Sequence, residues 1–487
     1  MKEKILPGMF LAAGLTLIPL LAASQVNAAG QVDKKLYPYA PSLLNYEKSG
    51  APFTPPEACA DCHPSQYEEW TGSVHALAFQ DPVYQGELNK AVKAVGHDIA
   101  RQCEGCHSPA GVVTGEVKGP GLAGLSPMAL AGVSCDVCHS IKDHTGWQTP
   151  YHQPENGSIV LSPGKDAPEG PVLTKYGPYK GGEECGGGFH ECVEQPLHKT
   201  TELCAGCHQV HHFETHTPLE STYREWKDSP YAVKGIGCQD CHMVAAETFV
   251  RSADTFKKPE RSEYRHYFNG ANFLLYHLAE RAALKAGNKE LAANAANKFS
   301  MAVARLKAAA ELEVKPVYRD GRLCELRVRV HNRRAGHNLP TSLTNVRQIW
   351  LELTVTDAQG KAVMSTGTVS PTGELPEEAR LFNSDGMGEG FHFAIDPWEV
   401  IAFSRHDTIP PRGYRDVHYG VSAPAEGGPL KVVARLRYRQ AEQKVAHALL
   451  AAVPKDMDLK AIYGLEALPE LPVVDMATAE LSVASRQ

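Results

Sequence analysis

The chain has 487 residues, 43% of them hydrophobic, and sets 49 Lys and Arg against 56 Asp and Glu for a formal net charge of −7. That balance excludes a generally basic surface, and no cluster of Lys or Arg suggests nucleic acid. The length is enough for two or three domains with cores of their own.

The first predicted element is a leader. Lys2 and Lys4 precede an apolar run from Met9 to Ala23, and Val26-Asn27-Ala28-Ala29 supplies the small residues of a cleavage site. This pattern predicts a signal peptide over residues 1–29. An uncleaved anchor would need a longer apolar run. No later stretch approaches ~18 uninterrupted apolar residues, so the mature chain is expected to have no transmembrane span. The expected location is periplasmic or extracellular.

Five copies of Cys-x-x-Cys-His follow: Cys59/Cys62/His63, Cys103/Cys106/His107, Cys135/Cys138/His139, Cys204/Cys207/His208 and Cys238/Cys241/His242. Chance would supply about 0.02 copies at these Cys and His frequencies. The spacing lets two thiols form thioethers to one haem while the adjacent imidazole takes the iron. Structural zinc on paired Cys-x-x-Cys knuckles would not explain a His after every second Cys. The cofactor expected is therefore haem c, five groups held covalently. Thioether attachment follows export, so leader and motifs support each other.

The haem-bearing segment, residues 30–270, is rich in Gly and Pro and reads as loops and short helices wrapped around porphyrin. Residues 271–313 change character. Phe273, Leu274, His277 and Leu278 keep helical spacing, Gly287-Asn288 breaks it, and Leu291, Ala295, Phe299, Val303 and Leu306 resume it, predicting a helical hairpin. From 314 to 445 the period becomes two. Cys324, Leu326, Val328 and Val330 form one inward row, Ile349, Leu351, Leu353 and Val355 a second, and Val432, Ala434, Leu436 and Tyr438 a third. Such strands between Gly and Pro turns predict an antiparallel β-sandwich. Residues 446–487 form a less legible tail, with Leu481-Ser-Val as a candidate last strand. The fold class expected is α+β.

Three cysteines lie outside the motifs. Cys324 shares the inward parity of its strand and reads as a buried thiol. Cys185 and Cys192 flank a Gly-rich loop in an oxidising compartment, which predicts a disulfide; a redox-active or metal-binding pair with His190 is the alternative.

The flanks of the motifs carry a resemblance. Cys59-Ala-Asp-Cys62-His63 runs into Trp70-Thr-Gly-Ser73-Val-His75-Ala76, which resembles the Trp-x-x-Ser-x-His-Ala signature of a multihaem cytochrome c family. That family includes the tetrahaem electron acceptor of hydroxylamine oxidation and shares haem packing with hydroxylamine oxidoreductase. Thr222 to Met243, His266-Tyr-Phe-Asn-Gly270-Ala-Asn272 and Ala335-Gly336-His337-Asn-Leu-Pro340-Thr341 are similar to further family segments. The resemblance implies closely stacked, mostly bis-histidine haems used for electron transfer. It also implies His75, His266 and His337 as distal ligands. His97, just before the second motif, is a further distal candidate, with His144, His198, His211, His212, His216 and His277 competing for what remains.

The leading expectation is an electron carrier between redox partners: a periplasmic oxidoreductase, a quinol-oxidising membrane complex or an outer-surface conduit. The competing one is a haem reductase or oxidase of small nitrogen or sulfur oxyanions, which requires one open haem face. No residue is assigned a catalytic role. A third reading makes the sandwich a polymerisation or docking module.

Overall fold

The computed structural model describes residues 44–485 apart from 150, 183, 261–262 and 423–427. The expected leader, Lys2 to Ala29, lies outside the described residues. Among them no helix is long and apolar enough to cross a membrane.

Short helices dominate the first half; proline starts several of them and glycine ends a few. The two longest before the third motif are α1 (Pro82–Val95), with Pro82 at its start and Asp81 capping the Val83 N–H, and α2 (His97–His107), which carries the second motif. Gly96 separates them at φ +82°, a conformation that costs glycine nothing. On α1, Gly86 permits a close backbone approach: a Cβ there would lie 1.9 Å from the Leu449 carbonyl oxygen. Gly86→Ala should therefore lower stability by about 1–3 kcal/mol, read as a fall in thermal midpoint. Farther along, β1 (Val172–Gly177) pairs in parallel with β2 (Glu191–Glu194). The turn between them is closed by a Cys185–Cys192 disulfide, as expected from the Gly-rich spacing.

The helical hairpin is present as α3 (Phe273–Lys285) and α4 (Lys289–Ala309). Gly287 turns the chain at φ +74°, and the Asn288 side chain accepts the Leu291 N–H at 2.9 Å. Phe273, Leu274 and Leu278 are buried, whereas the His277 side chain is 41% exposed and packs its ring on Phe299.

Helix α4 runs without a loop into β3 (Ala310–Arg319), which pairs with β4 (Arg322–Asn332). A second sheet contains β5 (Gln348–Thr356), β6 (Ala362–Thr366) and β7 (Arg380–Phe382). The outer neighbour of β4 is β8 (Tyr414–Gly420), and β9 (Leu430–Arg439) pairs with β5. Leu326, Val328 and Val330 of the first sheet share one core with Ile349, Leu351, Leu353, Leu430, Val432 and Leu436 of the second, so the C-terminal region is sheet-rich, within the expected α+β class.

Three local expectations change. A register shift between Leu323 and Glu325 reverses parity at Cys324, so Leu323 is buried and Cys324 only partly so. Trp350, which alternates with the inward row Ile349, Leu351 and Leu353, is itself fully buried and donates to the Gly367 carbonyl at 2.9 Å. Its face of β5 also carries Glu352, which pairs with Arg435 at 2.9 Å and Arg437 at 2.7 Å. The tail is part of the body of the fold: α5 (Gln443–Ala451) abuts Gly86, and β10 (Val474–Val483) pairs along the length of β9.

Candidate haem-binding site

All five motifs line a single cavity of about 1570 Å³, which every motif cysteine and every motif histidine borders. Two of the motif histidines are visibly set by their neighbours. Ser134 caps the helix Cys135–His139 by accepting the Val137 N–H at 3.2 Å, and the His139 Nδ1 donates to the Tyr176 carbonyl at 2.7 Å. His107 makes the equivalent bond to the Ala78 carbonyl at 2.9 Å. A carbonyl on Nδ1 fixes the tautomer and leaves Nε2 for a metal.

The Trp-x-x-Ser-x-His-Ala stretch has a local mechanism. Trp70 Nε1 donates to the Val133 carbonyl at 3.0 Å, and the Ser73 hydroxyl accepts the Ala76 N–H at 3.1 Å. This ties the turn down and sets His75 against His208, ring centres 6.2 Å apart. Glu69, buried beside it, accepts the His266 backbone N–H at 2.8 Å and the Arg265 guanidinium at 2.9 Å. His266 thereby meets His139 at 6.5 Å. Within α6 (Thr222–Lys227), Glu225 accepts the Asn338 N–H at 3.0 Å and the Thr341 hydroxyl at 2.6 Å. This brings His337 of the sandwich to His242 at 6.3 Å.

An iron ~2 Å from one nitrogen of each of two opposed imidazoles would set their ring centres ~6.3 Å apart. The three pairs match that spacing. Burial pushes His75 and His242 down to about 3 and His107 and His266 to about 4. They are neutral at pH 7, the form in which imidazole ligates. The buried Nδ1 of His75 meets no protein partner. The residues present thus fit haem.

His97 does not join them. Its Nε2 meets the buried Glu104 carboxylate at 3.1 Å, and it does not border the cavity. Proximity to a motif in sequence was its whole signal, and α2 turns the ring away. His144, His211, His216 and His277 also lie outside the lining. His198 spends Nε2 on the Ile141 carbonyl at 2.9 Å, and His212 spends Nε2 on the Trp398 carbonyl at 3.0 Å. Lining residues that sequence alone did not single out are Tyr84, Glu87 and Trp398.

Cysteines of different motifs also touch. Cys59 contacts Cys135, Cys106 contacts Cys207, and Cys204 contacts Cys238. In space the fourth motif therefore lies beside both the second and the fifth, and the first beside the third.

Burial raises Glu225 to about 7 despite its two donors. An unfolded glutamate titrates at about 4.3, so between these values the fold keeps a proton that the unfolded chain has lost. This contribution to stability is whole below the unfolded value and is lost as pH rises through the window. The thermal midpoint should fall between about pH 5 and about pH 8, and Glu225→Gln should flatten part of that fall.

Paired cysteines and histidines in five copies around one cavity define a multihaem c-type cytochrome, with haem c bound covalently. Residues 58–140 match the family described as Cytochrome c554 and c-prime. Over 94 residues the chain is 31% identical to cytochrome c-554 of Nitrosomonas europaea, a match covering 18% of this chain and 38% of that relative's length. The fold resembles the crystal structure of a penta-heme cytochrome c552 from Thermochromatium tepidum. That likeness has a TM-score of 0.58 at 19% identity, over 88% of this chain and 99% of the other.

Proposed function

We propose that the chain is an exported pentahaem cytochrome that passes electrons between redox partner proteins. Its proximal ligands are His63, His107, His139, His208 and His242; His75, His266 and His337 are distal ligands. The observation that carries this reading is the contact between cysteines of different motifs, since thioethers at touching positions hold porphyrin edges close together. Bound haem supplies one-electron chemistry, and the paired imidazoles block both faces of an iron while leaving the edge free. The contacts join the first motif to the third and the second and fifth to the fourth. Cys138 of the third lies in the electrostatic surroundings of Cys204 and Cys207 of the fourth, which supports a route that branches at the fourth. An acidic surface favours partners with a basic docking patch: a periplasmic oxidoreductase, a quinol-oxidising membrane complex or an outer-surface conduit. Intact-mass spectrometry of the matured protein should give the chain plus five haem masses, and four would break the proposed route.

A second reading, with one haem open to a small nitrogen or sulfur oxyanion, is favoured by the surroundings of His107. The ring that meets His107 is Tyr84, stacked at 3.8 Å, and no histidine faces it among the described residues. Burial raises Glu87 to about 8, a carboxylic acid able to hold a proton at neutral pH. Buried and without a partner are the Tyr84 hydroxyl, the Glu87 Oε1 and the Trp398 Nε1. Carbon monoxide binding by the reduced wild-type protein distinguishes the readings: a fully bis-histidine protein resists it.

A further inference from the structure

We infer that His190, on the disulfide-closed loop between β1 and β2, is the distal ligand of the haem carried by Cys59, Cys62 and His63. The inference rests on the reading that the first motif carries haem. Besides the five motif histidines, the cavity is lined by His75, His190, His198, His212, His266 and His337. Four of these face a motif histidine: His75, His266, His337 and His198, the last 5.9 Å from His139; but the Nε2 atoms of His198 and His212 are taken by backbone carbonyls. His190 is left, and its Nδ1 is 3.1 Å from the Glu191 carbonyl. That bond selects the tautomer whose Nε2 is a lone-pair donor, as in His107 and His139.

Position assigns the iron. Cys192, two residues on, pairs in register with Lys175, and the Lys175 ammonium binds Asp136 of the third motif at 2.5 Å. Asp136 and Lys175 both lie in the electrostatic surroundings of Cys59, which itself touches Cys135. The loop therefore overlies the first and third motifs. The third already has His266 opposite His139, so the first remains.

The loop is built to hold the ring. Gly186, Gly187 and Gly188 take φ of +80°, +54° and +79°, a run of left-handed residues that only glycine tolerates cheaply. A Cβ on Gly186 would lie 2.8 Å from the His190 Nδ1, so the imidazole packs directly on backbone. The Cys185–Cys192 bridge closes this turn.

In the full-length, haem-loaded protein, His190→Ala should keep five haems by mass and show one more high-spin haem than the parent. Millimolar imidazole should return that haem to low spin. An unchanged spin count with five haems attached overturns the assignment. Peptide mapping that finds Cys59 and Cys62 unmodified overturns it too, and the reading beneath it. A Cys59→Ser/Cys62→Ser background locates the iron: there His190→Ala should add no high-spin haem, and a gain would show that His190 serves another motif.

Discussion

His337→Ala should leave all five haems attached and convert one from low spin to high spin. The thioethers hold the porphyrin without help from the sixth ligand, so the haem count is insensitive to the change. The loop should survive it. Asn332 Nδ2 donates to the His337 backbone carbonyl at 2.8 Å, and Glu225 grips Asn338 and Thr341, none of which involves the imidazole. What disappears is the ring 6.3 Å from His242, together with its Nδ1 bond to the Asn338 carbonyl at 2.9 Å. The reduced variant should then bind carbon monoxide at one more haem than the parent. An unaltered spectrum would mean that the sandwich docks on the haem segment without donating a ligand. Deleting the chain from about residue 315 is a poorer test, because it cuts β3 and strips the hairpin's Phe273 and Tyr276 of the core they share with the sheets.

His75→Ala should likewise open one haem, here at the fourth motif, where the inferred route divides. Trp70 and Ser73 hold the turn through bonds that do not touch the imidazole, so the backbone stays in place. The ring also contacts Phe268 at 4.6 Å and is largely enclosed, so a stability loss of about 1–2 kcal/mol accompanies the spin change. Added imidazole should restore the low-spin spectrum. A low-spin spectrum without it would place another ligand on that iron.

Much of this was legible in advance. The hairpin and the sandwich strands follow from periods of 3.6 and two, because their apolar faces are buried against one partner each. The motif ligands follow from covalent spacing. Features that depend on two distant segments were not legible. The bulge that flips Cys324 is a matter of register between β3 and β4. Trp350 is buried because Arg437 and Arg439 cover its ring from a strand about 90 residues away, which alternation along β5 cannot reveal. His97 and His190 differ in the opposite direction from their sequence cues: one adjoins a motif and turns aside, the other lies far from any motif and borders the cavity.

If His337 and His242 hold one iron, as proposed, that metal ties the β sheets to the haem segment, and thermodynamic linkage then runs both ways. If ferric and ferrous iron bind the second imidazole with different strengths, the ratio of those affinities is also the factor by which oxidation shifts the equilibrium between docked and undocked sandwich. A substitution deep in the β core, far from any porphyrin, would then register as a change in midpoint potential at the fifth haem. Conversely, poising the protein reduced or oxidised would move the sandwich's own resistance to denaturant, making the β domain a mechanical reporter of the electron load at one end of the chain of haems.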